Sequence, residues 1–174
     1  MGIYREKRNI IKSCIIAISA GLTANPNPYT NVTCVKSFKE FANTPLSRET
    51  KNAVICVLLG STIRDNVEVG SNSKLRKSLI LIHVKGTSGG QVEDLTDMIC
   101  DYLKNGFTYY EYTTIGGVSS DASFESGPDT DGRIIVDLID DVPVGGDIDK
   151  SQLELDDRFR TLITLHVTKT KVED

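Results

Sequence analysis

"VDLIDDVPVGG", residues 136–146, is the stretch on which the reading of this chain turns. An apolar run stops at two adjacent aspartates, followed by a valine, a proline and a glycine pair. If Asp140 and Asp141 converge, they form a candidate metal or acid/base site. If they only close a strand, the chain needs another purpose. Neighbouring side chains of an extended segment point to opposite faces, so the two carboxylates meet only across a turn. Metal and acid/base sites usually draw their carboxylates from separate elements. The run lacks the glycine at position 6 and the glutamate at position 12 of an EF-hand loop. A loop cation site built from Asp140, Asp141, Asp147 and Asp149 is the competing pattern, but acids closing a strand before a proline turn are commoner. The reading is a strand over 133–139 that runs out into an acidic loop over 140–157.

Working outward, the segments on either side carry clear periodicities. Ile10, Ile11, Cys14, Ile15, Ile18 and Leu22 recur at helical spacing, which predicts an amphipathic helix over 4–22. Arg5, Lys7, Arg8 and Lys12 fall at its start and flanks, and "NPNP" stops it. Its basic start and apolar middle also raise a signal peptide, but Lys12 and Ser13 interrupt the apolar run, and a mature helix fits better. "VTCVKSF", 32–38, predicts a strand and "KEFANTPLSRETKN" a polar connection. "AVICVLLGS", 53–61, is apolar throughout and predicts a strand covered on both faces. "IRDNVEVGSNSKLRK" reads as a loop or hairpin arm turning at "GSNS", and "SLILIHVKG" as a strand. In "TSGGQVEDLTDMICDYLKNG", Val92, Leu95, Ile99, Tyr102 and Leu103 share one helical face. Asn105-Gly106 supplies a left-handed stop. "FTYYEYTTI", 107–115, predicts a strand, 116–132 a long polar loop, and "RFRTLITLHVTKTK" a closing strand.

The order is helix, strands, helix, strands. It predicts one α+β domain over 1–174: a curved, mainly antiparallel sheet with two principal helices packed on it, and long acidic loops at 116–132 and 140–157. At 174 residues, 39% hydrophobic and 25% charged, the chain fits one globular domain with its own core. No apolar run approaches the roughly 20 residues of a membrane-spanning helix, so no membrane partner is expected.

Charge is concentrated. Residues 116–157 hold 12 acids against Arg133 and Lys150, whereas the whole chain nets only -4. The remainder is therefore basic. Acidic groups at Asp129, Asp131, Asp140, Asp141, Asp147 and Asp149 can meet basic ones on another copy, with Lys74, Arg76, Lys77, Arg158 and Arg160 as candidates. Such complementarity sets register and partner choice more than affinity. Solvated loops are the plain alternative.

A search for chemistry finds no assembled site. Cys14, Cys34, Cys56 and Cys100 are scattered among apolar neighbours without a CxxC, as small buried hydrophobes are. His83 and His166 sit inside predicted strands. No GxSxG, Walker A or HExxH occurs. "GTSGG", 86–90, opens a helix without the lysine of a phosphate loop, so it reads as a glycine-rich helix entry. No catalytic residue, metal or cofactor is assigned.

The leading amphipathic helix, the buried strand "AVICVLLGS", "LILIHVKG" feeding the helix "QVEDLTDMICDYL", and the late strand "RTLITLHVT" together resemble the tail terminator proteins of long-tailed bacteriophages, also called tail completion or head-tail joining proteins. The resemblance is one of layout and covers roughly residues 4–168. It implies a virion structural protein of tail and neck, assembled in the host cytoplasm, without catalysis. It implies a homohexameric ring that caps the tail tube, and the sheath in contractile tails, and docks onto the neck or connector. Genomic DNA would pass through the channel without sequence-specific binding. The alternatives are another neck or head-completion ring protein, or a small metal-dependent enzyme using Asp140 and Asp141.

The face assignment of the second helix is directly testable. Ile99→Asp places a charge among Val92, Leu95 and Leu103 and should abolish the cooperative thermal melt followed by circular dichroism, a loss above about 4 kcal/mol. A soluble variant melting like the parent would refute that face.

Overall fold

A computed structural model of the chain describes residues 3–24, 28–66, 74–111, 129–144 and 159–169. Among them are three helices and six strands: α1 (Ile3–Ala24), β1 (Val32–Val35), α2 (Phe38–Asn43), β2 (Ala53–Asn66), β3 (Lys74–Lys85), α3 (Gly89–Leu103), β4 (Phe107–Glu111), β5 (Asp129–Pro143) and β6 (Arg160–Lys169). The strands form one mixed sheet in the order β1-β2-β3-β6-β5-β4. Only β1 and β2 run parallel; the other four pairings are antiparallel. This is the expected α+β class with a mainly antiparallel sheet.

The sheet is curled into a half-barrel. The packing of α1 shows why: it touches both β2 and β4, which stand four places apart in the sheet order. Over a flat sheet the helix would meet β3, β6 and β5 between them at least as closely, yet it touches those less. Inside the curl, Ile10, Cys14 and Ile18 of α1 and Val92, Leu95, Ile99 and Leu103 of α3 meet Ile55, Val57, Ile80, Ile82, Ile163 and Leu165 from the strands. α1 and α3 also cross closely at Gly21, where an added Cβ would overlap the Tyr102 ring. No helix among the described residues is long and apolar enough to cross a membrane.

β2 is covered on both faces, as its unbroken apolar run predicted. Ala53, Ile55 and Val57 enter the main core, while Val54 and Cys56 pack with Phe41 on the other side. That cover is α2, in a stretch read from sequence as a polar connection. Ser37 caps it, accepting a hydrogen bond from the Glu40 amide at 3.1 Å. β1 is correspondingly shorter than 32–38. α3 starts as "GTSGG" implied: Ser88 is the N-cap, and Gln91 Oε1 accepts from the Thr87 amide at 2.8 Å. The same amide side chain donates to the Lys51 carbonyl at 2.7 Å, tying the helix entry to the β2 approach. Gly106 takes φ +76 after α3, and a Cβ there would strike the Ile134 carbonyl, so glycine is required on both counts.

Two loop boundaries move. Residues 129–132 and 140–143 belong to β5, not to the acidic loops. The reason is pairing: β5 stays in register with β6 as far as Pro143 opposite Thr161, and the Val144 amide still bonds the Arg160 carbonyl at 2.9 Å. A strand with a paired partner continues through aspartates that would end an isolated one. The turn at 70–73, strand residues 112–115, and most of both acidic loops lie outside the described residues.

The first half of α1 buries polar groups that its apolar stripe did not forecast. Glu6, Asn9, Lys12 and Ser13 are all nearly inaccessible. Glu6 pairs with Arg76 of β3 and lies 3.7 Å from Lys169 Nζ of β6, whose ammonium sits 4.2 Å over the Tyr109 ring. Ser13 Oγ accepts the Tyr110 amide of β4 at 2.9 Å. Ser13→Ala should leave that amide unsatisfied and lower the unfolding free energy in urea by about 1–2 kcal/mol. An unchanged midpoint would show that the bond contributes nothing.

Candidate interaction surfaces

The two aspartates of the opening stretch do not converge. Asp140 pairs with Thr164 and Asp141 with Ile163. Ile163 points into the core, so Asp141 lies on the inner side of the sheet and Asp140 on the outer. Both are exposed. Asp141 stands near Cys100, where burial first and then Asp141, Asp97 and Asp101 push the thiol up to about 11. Among the described residues, no three His, Cys, Asp or Glu side chains cluster closely enough to hold a metal ion.

The outer side is shaped by a bulge. The β5–β6 register slips between Val136 and Leu138, leaving Asp137 as the extra residue, held by Thr168 Oγ1 donating to Asp137 Oδ2 at 2.6 Å. Beyond the slip the alternation is inverted. Leu138 and Val142 turn outward, although continuous alternation from Val136 would have sent them in. With Ile135 beside them and Ile63 across on β2, they leave apolar side chains in solvent; Leu138 alone is 56% exposed. Leu58, Leu81 and Leu162, half-buried on the same side, join the row.

One end of this outer face holds an aromatic-cationic cluster. The Arg160 guanidinium lies 5.2 Å from the Phe38 ring and 5.4 Å from Phe41. Its Nη2 is 3.1 Å from His83 Nδ1. Arginine only donates, so Nδ1 accepts and carries no proton. Burial, reinforced by the Arg160 charge, lowers the His83 pKa from its ordinary 6.5. Lys85, almost wholly buried, donates to the Thr44 carbonyl at 2.9 Å with its ammonium 5.0 Å from the Phe41 ring.

The candidate interface residues are therefore dispersed. Arg76 is inside the molecule against Glu6, which withdraws it from the surface. Lys77 is exposed on β3, Lys74 lies on β3, and Asp129 and Asp131 lie on β5. Asp147, Asp149 and Arg158 fall outside the described residues. Sequence reading missed Phe38, Phe41 and the outward Leu138 and Val142, because α2 and the bulge place them.

On the inner side, a cleft of about 660 Å³ separates the second half of α1 from β1. Ile15, Leu22 and Val32 give it apolar walls, and Ser19, Thr30 and Cys34 add hydroxyl and thiol groups. Beside it, Tyr29 donates its hydroxyl to Asp94 Oδ2 of α3 at 2.6 Å. Searches against family models and against curated protein sequences find no match to the chain.

The His83 environment sets a pH dependence. Its folded pKa lies below the unfolded one, so the unfolded chain takes up the proton first as pH falls. The stability contribution is complete above about pH 7.5, and it is lost as pH drops through 6.5 towards the folded value. His83→Gln keeps an acceptor for Arg160 and should flatten this part of the stability–pH curve between pH 7.5 and 5. Superimposable wild-type and variant curves would refute it.

Proposed function

We propose that the chain is a non-catalytic structural protein of a long-tailed bacteriophage, forming a ring that terminates the tail tube and joins the tail to the neck. The observation that carries this reading is the outer sheet face. Ile135, Leu138 and Val142 are solvent-exposed on β5 and Ile63 on the same face of β2, with the half-buried Leu81 and Leu162 on the intervening β3 and β6. Exposed apolar side chains gathered on one face of a sheet mark protein–protein contact. The architecture agrees with what the resemblance implies: a curved sheet holding two long helices within it. The partners under this reading are further copies of the chain, the tail tube, the sheath where one exists, and the neck or connector. DNA passes without specific contacts, and the net negative charge would keep phosphates from sticking.

The same face would also suit another ring protein of the neck or head. The metal-dependent enzyme reading has no comparable support, since Asp140 and Asp141 lie on opposite sides of the sheet.

Solution mass by light scattering, with negative-stain imaging of the same peak, tests the proposal. The expected result is a ring of about six subunits, or a monomer that closes into rings when purified tail tube is added. A compact monomer or dimer that never forms rings under either condition overturns it.

A further inference from the structure

The two ends of the sheet differ. At one end β4 is packed against α1, and Ser13 Oγ accepts the Tyr110 amide. At the other end β1 is open. The Ala53 amide bonds the Asn31 carbonyl, which fixes the parallel ladder. In that ladder the main-chain groups of Asn31, Thr33 and Val35 face β2, so the amides and carbonyls of Val32 and Cys34 point away from the sheet. Among the described residues no hydrogen bond reaches them. "VTCV" also carries none of the devices that guard a strand edge. It has no lysine, no proline and no charge, and its register with β2 runs without a bulge. An edge of this kind pairs with another strand.

The edge is complementary to itself. Turned about a twofold axis through Thr33, Val32 of one copy stands opposite Cys34 of a second and exchanges both main-chain bonds with it. The reciprocal pair does the same, so this register uses every outward amide and carbonyl of both strands. Charge permits the approach. A twofold contact sets residues beside their own copies, so a charged edge would repel itself. Here "VTCV" is neutral, and so are all the residues lining the 660 Å³ cleft beside it at neutral pH. Val32 and Cys34 lie on the inner side with Ala53 and Ile55, so those of the second copy extend the β1 wall of the cleft. Thr33, exposed on the outer side, meets Thr33 of the second copy, a favourable cross-strand pair. We propose that two copies of the chain join antiparallel through their β1 edges about a twofold axis at Thr33, making one continuous sheet. Two four-residue strands cover less than the roughly 1,200 Å² of a stable interface, so the pairing is reversible and the dilute chain stays single. The inference goes beyond the ring-forming reading, which the outer face carries, and does not depend on it.

Thr33→Cys tests the register. At the axis the two positions form a non-hydrogen-bonded pair with Cα atoms about 4.5 Å apart, within the span of a disulfide. The concentrated variant is oxidised with copper phenanthroline and run on a non-reducing gel. The expected result is a covalent dimer, absent from wild type and from Thr30→Cys, whose exposed position lies well off the axis. No dimer from Thr33→Cys, or an equal yield from either control, overturns the inference. A second variant addresses the edge itself. The Val32 amide points outward from the first residue of β1, a position that tolerates proline. Light scattering of wild type should give a mass that doubles as concentration rises. Val32→Pro should keep the wild-type melt and raise the concentration for half-pairing roughly tenfold or more, since each copy loses a main-chain donor. A wild-type mass that never changes, or wild-type pairing by the folded proline variant, overturns the inference as well. The two levels stay apart. Rings without the Thr33→Cys dimer sink this contact alone, whereas a dimer that never closes into rings sinks the ring-forming reading and leaves this contact standing.

Discussion

The hydrogen bond from the Tyr110 amide to Ser13 Oγ joins the first helix to the last strand of the sheet order, across 97 residues of sequence. It depends on a constraint the rest of the structure obeys. α1 must serve β2 on one side and β4 on the other, so the sheet has to curl around it. Curling hides the inner face from everything except α1 and α3. It also lets one helix do two jobs, filling the core with Ile10, Cys14 and Ile18 and sealing an edge with a serine one position from the core cysteine.

The same constraint accounts for the buried charges. Polar side chains of the first half of α1 reach β3, β6 and β4 directly. Glu6 is held by Arg76 and approached by Lys169, all three nearly inaccessible. Moving such ions out of water costs several kcal/mol each, by rough reckoning, and their attraction does little more than offset it. Their contribution is specificity. A helix sliding by one turn inside an apolar groove would lose little packing, whereas sliding Glu6 away from Arg76 strands two charges in the interior. The pair thus fixes the register of α1 in the curl, and with it the alignment of Ser13 on Tyr110.

Much of this was legible in the sequence where periodicity and burial agree. "AVICVLLGS" announced a strand covered on both faces, and Val92, Leu95, Ile99 and Leu103 announced the core face of α3. Glycine 106 announced the stop after it. What could not be read depended on partners far along the chain. Lys12 and Ser13 look like solvent-facing interruptions of a stripe, and only the curl of the sheet buries them. "DLIDDVP" looks like a strand running out into a loop, and only β6 alongside keeps it extended to Pro143. The outer apolar row was invisible for the same reason: alternation from Val136 sends Leu138 inward, and a one-residue bulge reverses it. Of the candidate interface residues, Arg76 was misjudged because its partner, Glu6, is 70 positions away in sequence.

The bulge and the sealed edge also bear on how such a molecule meets others. A sheet with two free edges can pair indiscriminately, edge to edge, and aggregate. Here one edge is packed against a helix, and the other is four residues long and borders a cleft. The outer face, meanwhile, carries leucine and valine outward beside Asp140 and Lys77 rather than as an unbroken apolar sheet. Charged residues among the apolar ones oppose non-specific stacking while leaving a surface that a complementary partner can cover. With α1 against one edge, pairing is left to the other. A symmetric pairing through that one edge stops at a dimer, where two open edges would let it propagate.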